Sequence, residues 1–512
     1  MGTGFTRRRF LRALLAGASL TLANGCGPIG RAEQLSSVRI PKAAPLRAPK
    51  VWPLPGVSPV QPKGVWAFRS RPDSAPAAAE ITGEVSGTAS GTASGYVFLA
   101  LKEGVGEHGP MILDDRGQLV WFENYTTARD FRMQEYRGEP VLTWWEGAVV
   151  AGHGVGEYVI FDNSYREIAR FRAGNDYPGD LHEFLITPDD TALLTAYAAV
   201  PADLSSVGGV EYGSAWDGIT QEIDIETGEV LFEWHSLDHV GVEESYVHPP
   251  ADPDFVYDYF HINSIDVDHD DNLLISARNT SAVYKVDRGS GEVLWRLGGK
   301  RSDFEMGDCT RTYWQHDARR QEDGTITIFD NAAHPQVHEQ SRAIQLRLDE
   351  EEMSAVLLRE YTSPEKILAT SQGNAQLLSN GNVLVGWGSE PFVSEFSGDG
   401  GLLLNAGFPP ECESYRAFRF SWSGHPTDAP VLTVGQRSSN RVTLYASWNG
   451  STEVTAWEVL SGPHPNHLEP LGAVPRDGFE TAMLAQTKDP YVAVRARDSS
   501  GEILGTSAPA KP

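Results

Sequence analysis

The chain has 512 residues, and its 42 Lys and Arg against 69 Asp and Glu give a formal charge of -27. That balance argues against nucleic acid and anionic membrane surfaces as partners, and it requires any anionic substrate to enter a locally positive pocket. With 51 Gly, 32 Pro and 13 Trp and no long amphipathic helical period, the composition predicts an all-β protein of many short strands.

Residues 1–26 read as an export signal: a basic stretch, an apolar run from Leu11 to Ala23, then small residues up to Cys26. The order Thr6-Arg7-Arg8-Arg9-Phe10-Leu11-Arg12 resembles a twin-arginine signal, an address for proteins exported already folded. "LANGC" resembles a lipoprotein cleavage box, so a lipid on Cys26 is the only membrane attachment expected; the alternative is an ordinary cleavage site, giving a secreted or periplasmic protein. No later stretch approaches the ~20 apolar residues of a spanning helix. Residues 27–62, rich in Pro, Ala and Arg, read as a flexible linker. Cys309 and Cys412 permit at most one intramolecular disulfide.

From residue 63 two kinds of unit alternate. One is a polar turn closed by glycine and followed by an apolar strand, as in "DDRGQLVWF", "DIETGEVLFEW" and "VDRGSGEVLWRL". The other is a hairpin with a polar front, as in "LHEFLITPDDTALLTAY", "FHINSIDVDHDDNLLISAR", "QHDARRQEDGTITIFDN" and "GNAQLLSNGNVLVGWG". Their recurrence at about 55 to 58 residues from His261 to His316 to Asn374 suits one four-stranded sheet per repeat, and so a six-bladed β-propeller over residues 63–428. The longer interval from His182 to His261 places a loop insertion at 236–255. Residues 429–512, with alternating strands around Trp448 and Trp457, read as a small β-sandwich similar to a fibronectin type III module.

This spacing places His182, His261 and His316 at one point of successive repeats, with Asn374 at the fourth, all facing a shared channel. Asn263, Gln315, Asp317, Arg319, Asn331 and Arg342 supply further polar groups beside them, and Trp387 offers a face for stacking an aryl ring. No metal is expected, because each histidine comes from a different repeat and no H-x-x-x-H pair brings two ligands together. A serine hydrolase is disfavoured by the lack of a G-x-S-x-G elbow. The acidic turn "DVDHDD" lacks a complete calcium-loop pattern.

The run from Asp258 to Asn331, with "DYFHINSID", "GEVLWRLGGKRSDF", "WQHDARR" and "ITIFDN" in order, resembles the arylsulfotransferase family of secreted bacterial and fungal proteins. The resemblance extends more weakly from "GPMILDDRGQLVWF" to "SYRAFR". It implies a six-bladed propeller that moves a sulfuryl group from an aryl sulfate to a phenol, with small aryl sulfates and phenols as its partners, no nucleotide sulfate donor and no cofactor. It also implies that His261 and His316 hold and polarise the sulfate, and that transfer is ping-pong through a sulfohistidine, with an arginine on the sulfate oxygens. The family's nucleophile lies in a later blade, yet no histidine occurs between Glu339 and Ser423. The role then falls to His182 or His316, and the cation's to Arg342 or Arg319. A second reading keeps the propeller as a surface-anchored, non-catalytic binder of an anionic or aromatic ligand.

Overall fold

The structure is a computed structural model that describes residues 50–54, 60–61, 63–82 and 91–512. The signal, Cys26 and most of the Pro-rich linker lie outside the described residues. Among the described residues the regular secondary structure is almost entirely strand, and the one α-helix is the four-residue Ser236–His239. No described helix is long and apolar enough to cross a membrane.

The recurrent turns fold as their chemistry dictates. Asp224 Oδ1 accepts the Thr227 N–H at 2.8 Å, and Asp287 Oδ1 accepts the Ser290 N–H at 2.7 Å. Gly228 and Gly291 then take the left-handed conformation, with φ of 72° and 77°, that reverses the chain. The acidic turn "DVDHDD" is used for ion pairing: Lys285 Nζ lies 3.0 Å from Asp268 and 2.8 Å from Asp270.

These turns build six antiparallel units of four strands in succession; the second and third join through Gly156 and Gly179 into one eight-stranded sheet, and Glu80–Thr82 adds a fifth strand to the sixth. The second to sixth begin with the inner strands Ala128–Tyr136, Gly179–Ile186, Ile262–Val267, His316–Arg320 and Asn374–Leu377. In the first sheet the inner strand is Glu413–Phe420, from the far end of the chain, paired with Tyr96–Lys102. Each inner strand neighbours the next, and the last neighbours the first, in a closed cycle.

Side-chain alternation fills the spaces between the sheets. Phe98 faces a core shared with Phe131 and Trp144 of the second sheet, whereas Leu99 faces one shared with Leu384 and Leu404 of the sixth. Four further cores, around Tyr158, Phe260, Trp295 and Trp387, join the remaining neighbouring pairs. The arrangement is propeller-like.

The C-terminal residues form two four-stranded sheets around a core that includes Val442, Trp457, Met483 and Val494. Here the structure corrects the linker boundary. Val51–Pro53 is not a tether but an edge strand of this unit, with Val51 opposite Ala485 and buried in the same core. Pro53 is tolerated because an edge strand has one side without a partner for its missing N–H. Cys309 and Cys412 are both free, the first exposed and the second buried.

Candidate functional site

The turn after four of the inner strands is closed by the same backbone bond: Thr187 to Thr191, Asp268 to Asn272, Gln321 to Thr325 and Leu378 to Asn382. Counting back from it, His182, Asn263, His316 and Gly373 are equivalent, and Glu183, Ser264, Asp317 and Asn374 follow them. His261 lies two residues upstream of that position, just before its strand, with φ of 59°. This corrects the register expected from spacing. The inner hairpins carry bulges at different points, after Gly179, Ile262 and His316, so the interval from one histidine to the next does not by itself mark equivalent positions.

Two aspartate–histidine pairs meet at the N-terminal ends of the inner strands. His182 Nδ1 lies 2.5 Å from Asp180 Oδ1, and His261 Nδ1 lies 2.5 Å from Asp258 Oδ2. Their rings are 4.8 Å apart between centroids and edge to face. Nε2 of neither ring makes a hydrogen bond among the described residues, so both are free to act on a ligand. Asp180 is fixed further by the Gly154 N–H and the Thr195 hydroxyl. Burial by itself raises the Asp180 carboxyl, but the His182 charge and hydrogen bond outweigh it and hold the group well below its usual range. Asp258 arrives at the end of the insertion that follows the third sheet, after Tyr257 bridges to Ala215.

A third histidine was not legible in the sequence. His153 starts a strand at the tip of the Glu139–Val150/His153–Phe161 hairpin, and its ring sits 5.4 Å from His261 and 6.4 Å from His182. Tyr197 at 4.1 Å and Trp216 at 4.8 Å wall it in, and Tyr415 packs 5.7 Å from His182. Burial, partly opposed by Asp258, pushes His153 down to about 4, so it is a neutral imidazole at neutral pH. Both of its ring nitrogens, and Asp258 Oδ1, are buried without a hydrogen-bond partner.

His316 is placed differently. The Gln372 N–H donates to its Nε2 at 3.2 Å, which leaves Nδ1 to carry the proton, donated to Asn331 Oδ1 at 2.7 Å. Asn331 is held in turn by Ala369 and Gln372 carbonyls. Burial first, then the Arg278 charge, pushes His316 well below the usual histidine range. Its imidazole is therefore neutral and fully engaged.

Arg278 is the cation that the sequence reading passed over. Its backbone N–H donates to the His261 carbonyl, and its guanidinium lies 5.2 Å over the Trp314 ring. Asn279 is its side-chain hydrogen-bond partner, and it makes no ion pair among the described residues. Arg342 is the opposite case. It sits on the third strand of the fifth sheet, spent on Asp330 at 2.9 Å, Glu360 at 2.7 Å and the Arg311 carbonyl.

Arg319 and Asp317 belong to a buried ionic layer that links the inner strands. Arg416 reaches Asp130 at 2.9 Å, Asp317 at 3.0 Å and Glu183 at 3.3 Å. Arg319 pairs with Asp317 at 2.9 Å and with Glu183; Arg132 pairs with Asp130 at 2.7 Å and with Glu183. Three guanidiniums and three carboxylates from four inner strands thus neutralise one another in a buried space. The remaining sequence candidates are structural in this arrangement. Gln315 bonds Ser276, Ala277 and Ala282; Asn374 bridges both backbone groups of Ala417. Trp387 is 0% exposed and donates to Ser394 Oγ. Asn263 donates to the Gln315 carbonyl, while its buried Oδ1 has no partner.

Beyond the ionic layer, at the turn ends of the inner strands, a cavity of about 600 Å³ is lined by Arg319, Asp266 and Gln376 among others. Burial raises the Asp266 carboxyl, against Arg319 and the Arg320 N–H and with help from Glu183 and Asp317, from 3.8 to about 6. Between pH ~4 and ~6 the folded chain keeps a proton that the unfolded chain has lost, so stability falls as pH rises through that window and is level above it. The shift corresponds to about 3 kcal/mol. Asp266→Asn is expected to remove this slope: urea unfolding should show the variant more stable than the parent at pH 8, with the gap closing towards pH 4.

A sequence model of the arylsulfotransferase (ASST) family matches residues 132–408. No curated protein matches the chain. Among solved structures, one of a protein of unknown function from Bacteroides caccae is similar at 12% identity and a TM-score of 0.39, covering 64% of this chain and 100% of its own. A catalytically inactive virginiamycin B lyase from Staphylococcus aureus with quinupristin is similar at 7% identity and a TM-score of 0.32, covering 76% of this chain and 95% of its own. A GH43 protein from Bacillus licheniformis is similar at 8% identity and a TM-score of 0.30, covering 75% of this chain and 89% of its own.

Proposed function

Because the chain belongs to the arylsulfotransferase family, whose model spans more than half of it, we propose that it transfers a sulfuryl group from an aryl sulfate to a phenol at the histidine-lined mouth. The family supports a sulfotransferase-type function; the donor, the acceptor and the site are our reading. The observation that carries it is the pair of aspartate-held imidazoles whose Nε2 atoms are free and whose rings lie 4.8 Å apart.

His182 is the nucleophile. Asp180 holds its Nδ1–H, which leaves the Nε2 lone pair to attack sulfur. An N–S bond forms as the S–O bond to the aryl group breaks, and Asp180 balances the charge on the sulfated ring. The first phenolate leaves and takes a proton from water; an acceptor phenol oxygen then attacks sulfur as the N–S bond breaks, and the acceptor's proton passes to solvent. Arg278, free of any described carboxylate partner, stabilises the sulfuryl oxygens and the departing phenolate. Tyr197, Trp216 and Tyr415 form the apolar walls that an aryl ring needs.

In the same proposal the six sheets are the blades of one propeller, supported by the closed cycle of inner strands and the six cores between neighbours. The C-terminal unit is fibronectin type III-like, and residues 1–26 direct twin-arginine export with a lipid on Cys26. The test is release of 4-nitrophenol from 4-nitrophenyl sulfate by the mature protein. Release that depends on added phenol, with the sulfated phenol recovered, is the expected result; no release across a panel of phenols discards the reading. Such a failure would favour the non-catalytic binder, which the full engagement of His316 also fits.

A further inference from the structure

We infer that His153, Asp258 and His261 form a binding site for a divalent transition-metal ion, with zinc the best fit to their donors. One donor atom from each residue lies within 4.8 Å of the others. The observation that points to a ligand is the state of His153. Its side chain is 96% buried, yet neither ring nitrogen has a hydrogen-bond partner, and Asp258 Oδ1 beside it is orphaned as well. A buried polar group with nothing to satisfy it is destabilising. His153 Nε2 stands 3.6 Å from Asp258 Oδ2, too far for a hydrogen bond. It is close to the roughly 3.3 Å that separates two ligands on a tetrahedral zinc with bonds of about 2.0–2.2 Å.

The donor chemistry agrees. Two imidazoles and one carboxylate are the ligand set of an open zinc site, and borderline donors of this kind disfavour magnesium and calcium. The hydrogen bond between Asp258 and His261 is exchanged for bonds to the ion. Two neutral imidazoles and one carboxylate leave the ion with net positive charge and a vacant coordination position. In a chain of formal charge -27, that supplies the local positive charge an anion requires. The inference depends on the sulfuryl-transfer reading only for the ion's role, which is to hold a sulfuryl oxygen while His182, outside the ligand set, attacks. Sequence spacing missed the site because its ligands come from the second sheet's hairpin tip and the insertion before the fourth.

The test reads metal rather than turnover. Tag-free protein is stripped with chelator, incubated with zinc, gel-filtered and assayed for metal by mass spectrometry, beside His153→Gln, His261→Gln and His182→Gln. About one zinc per chain in the parent and in His182→Gln, falling at least tenfold in the other two, is expected. Cobalt should give the visible absorption of a four-coordinate ion in the parent and not in His153→Gln. No zinc retained by the parent, or equal zinc in the parent and both ligand variants, overturns the inference. Folding of the variants is checked by their melting curves, and should either fail to fold, the cobalt spectrum of the parent still decides. Parent turnover without metal would overturn the ion's role in transfer and leave the binding site standing; metal without turnover would sink the sulfuryl-transfer reading alone.

Discussion

Replacing His182 by Gln is expected to lower kcat for phenol-dependent release of 4-nitrophenol by roughly 10³-fold or more, with little change in melting temperature. Glutamine can still donate to Asp180, so the local packing survives while the lone pair that attacks sulfur is lost. Asp180→Asn should keep the ring but loosen its tautomer and orientation, lowering kcat by about 10²–10⁴-fold. The distinguishing readout is a rapid-quench experiment with the aryl sulfate alone. The parent should accumulate about one sulfated histidine per chain, and His182→Gln none. A variant that retained the burst would discard His182 as the nucleophile.

The second large effect is on stability. Glu183 is 0% exposed and shared by Arg132, Arg319 and Arg416. Burial by itself raises its carboxyl, and the three guanidiniums more than reverse this, holding it far below the usual glutamate range. Glu183→Ala leaves three buried cations facing two carboxylates. Breaking a buried pair from one side typically costs about 3–5 kcal/mol, because the stranded charge remains desolvated. The urea midpoint should fall accordingly. Adding Arg416→Met, which restores the charge balance, should recover part of the loss. A fall below about 1 kcal/mol in Glu183→Ala would show that water reaches this layer.

The contrast between the two arginine assignments shows where sequence reading ends. Arg342 and Arg278 look alike in the chain, each beside a strand end in a polar motif. Their difference is whether a carboxylate pairs with them closely, which is decided by other strands: Asp330 and Glu360 form ion pairs with Arg342, and Arg278 forms none among the described residues. Turn chemistry was legible because Asp and Gly act within a few residues of themselves, and with it the succession of four-stranded sheets. The two aspartate–histidine pairs were also written locally, as "DLH" and "DYFH", although only the histidines drew notice. His153 was not legible, since nothing near "AGHGVG" marks a site until ring geometry brings the hairpin tip against His261. Trp387 was visible as an aromatic, but burial between two sheets and exposure to a ligand have the same sequence.

The strand that closes the ring and the strand that edges the C-terminal unit both pair the beginning of the chain with its end. The bond from Ala100 N–H to Ser414 spans 314 residues, and that between Ser70 and Glu480 spans 410. At a ribosomal rate of about 5–20 residues per second, the early strands wait tens of seconds for their partners. During that time Tyr96–Lys102, whose central residues are all buried in the finished fold, presents an apolar open edge. The nascent chain therefore carries an aggregation hazard in this strand until its partner, Glu413–Phe420, has been synthesised. Yield in the cell should depend on chaperones that hold this segment more than on the final stability of the ring.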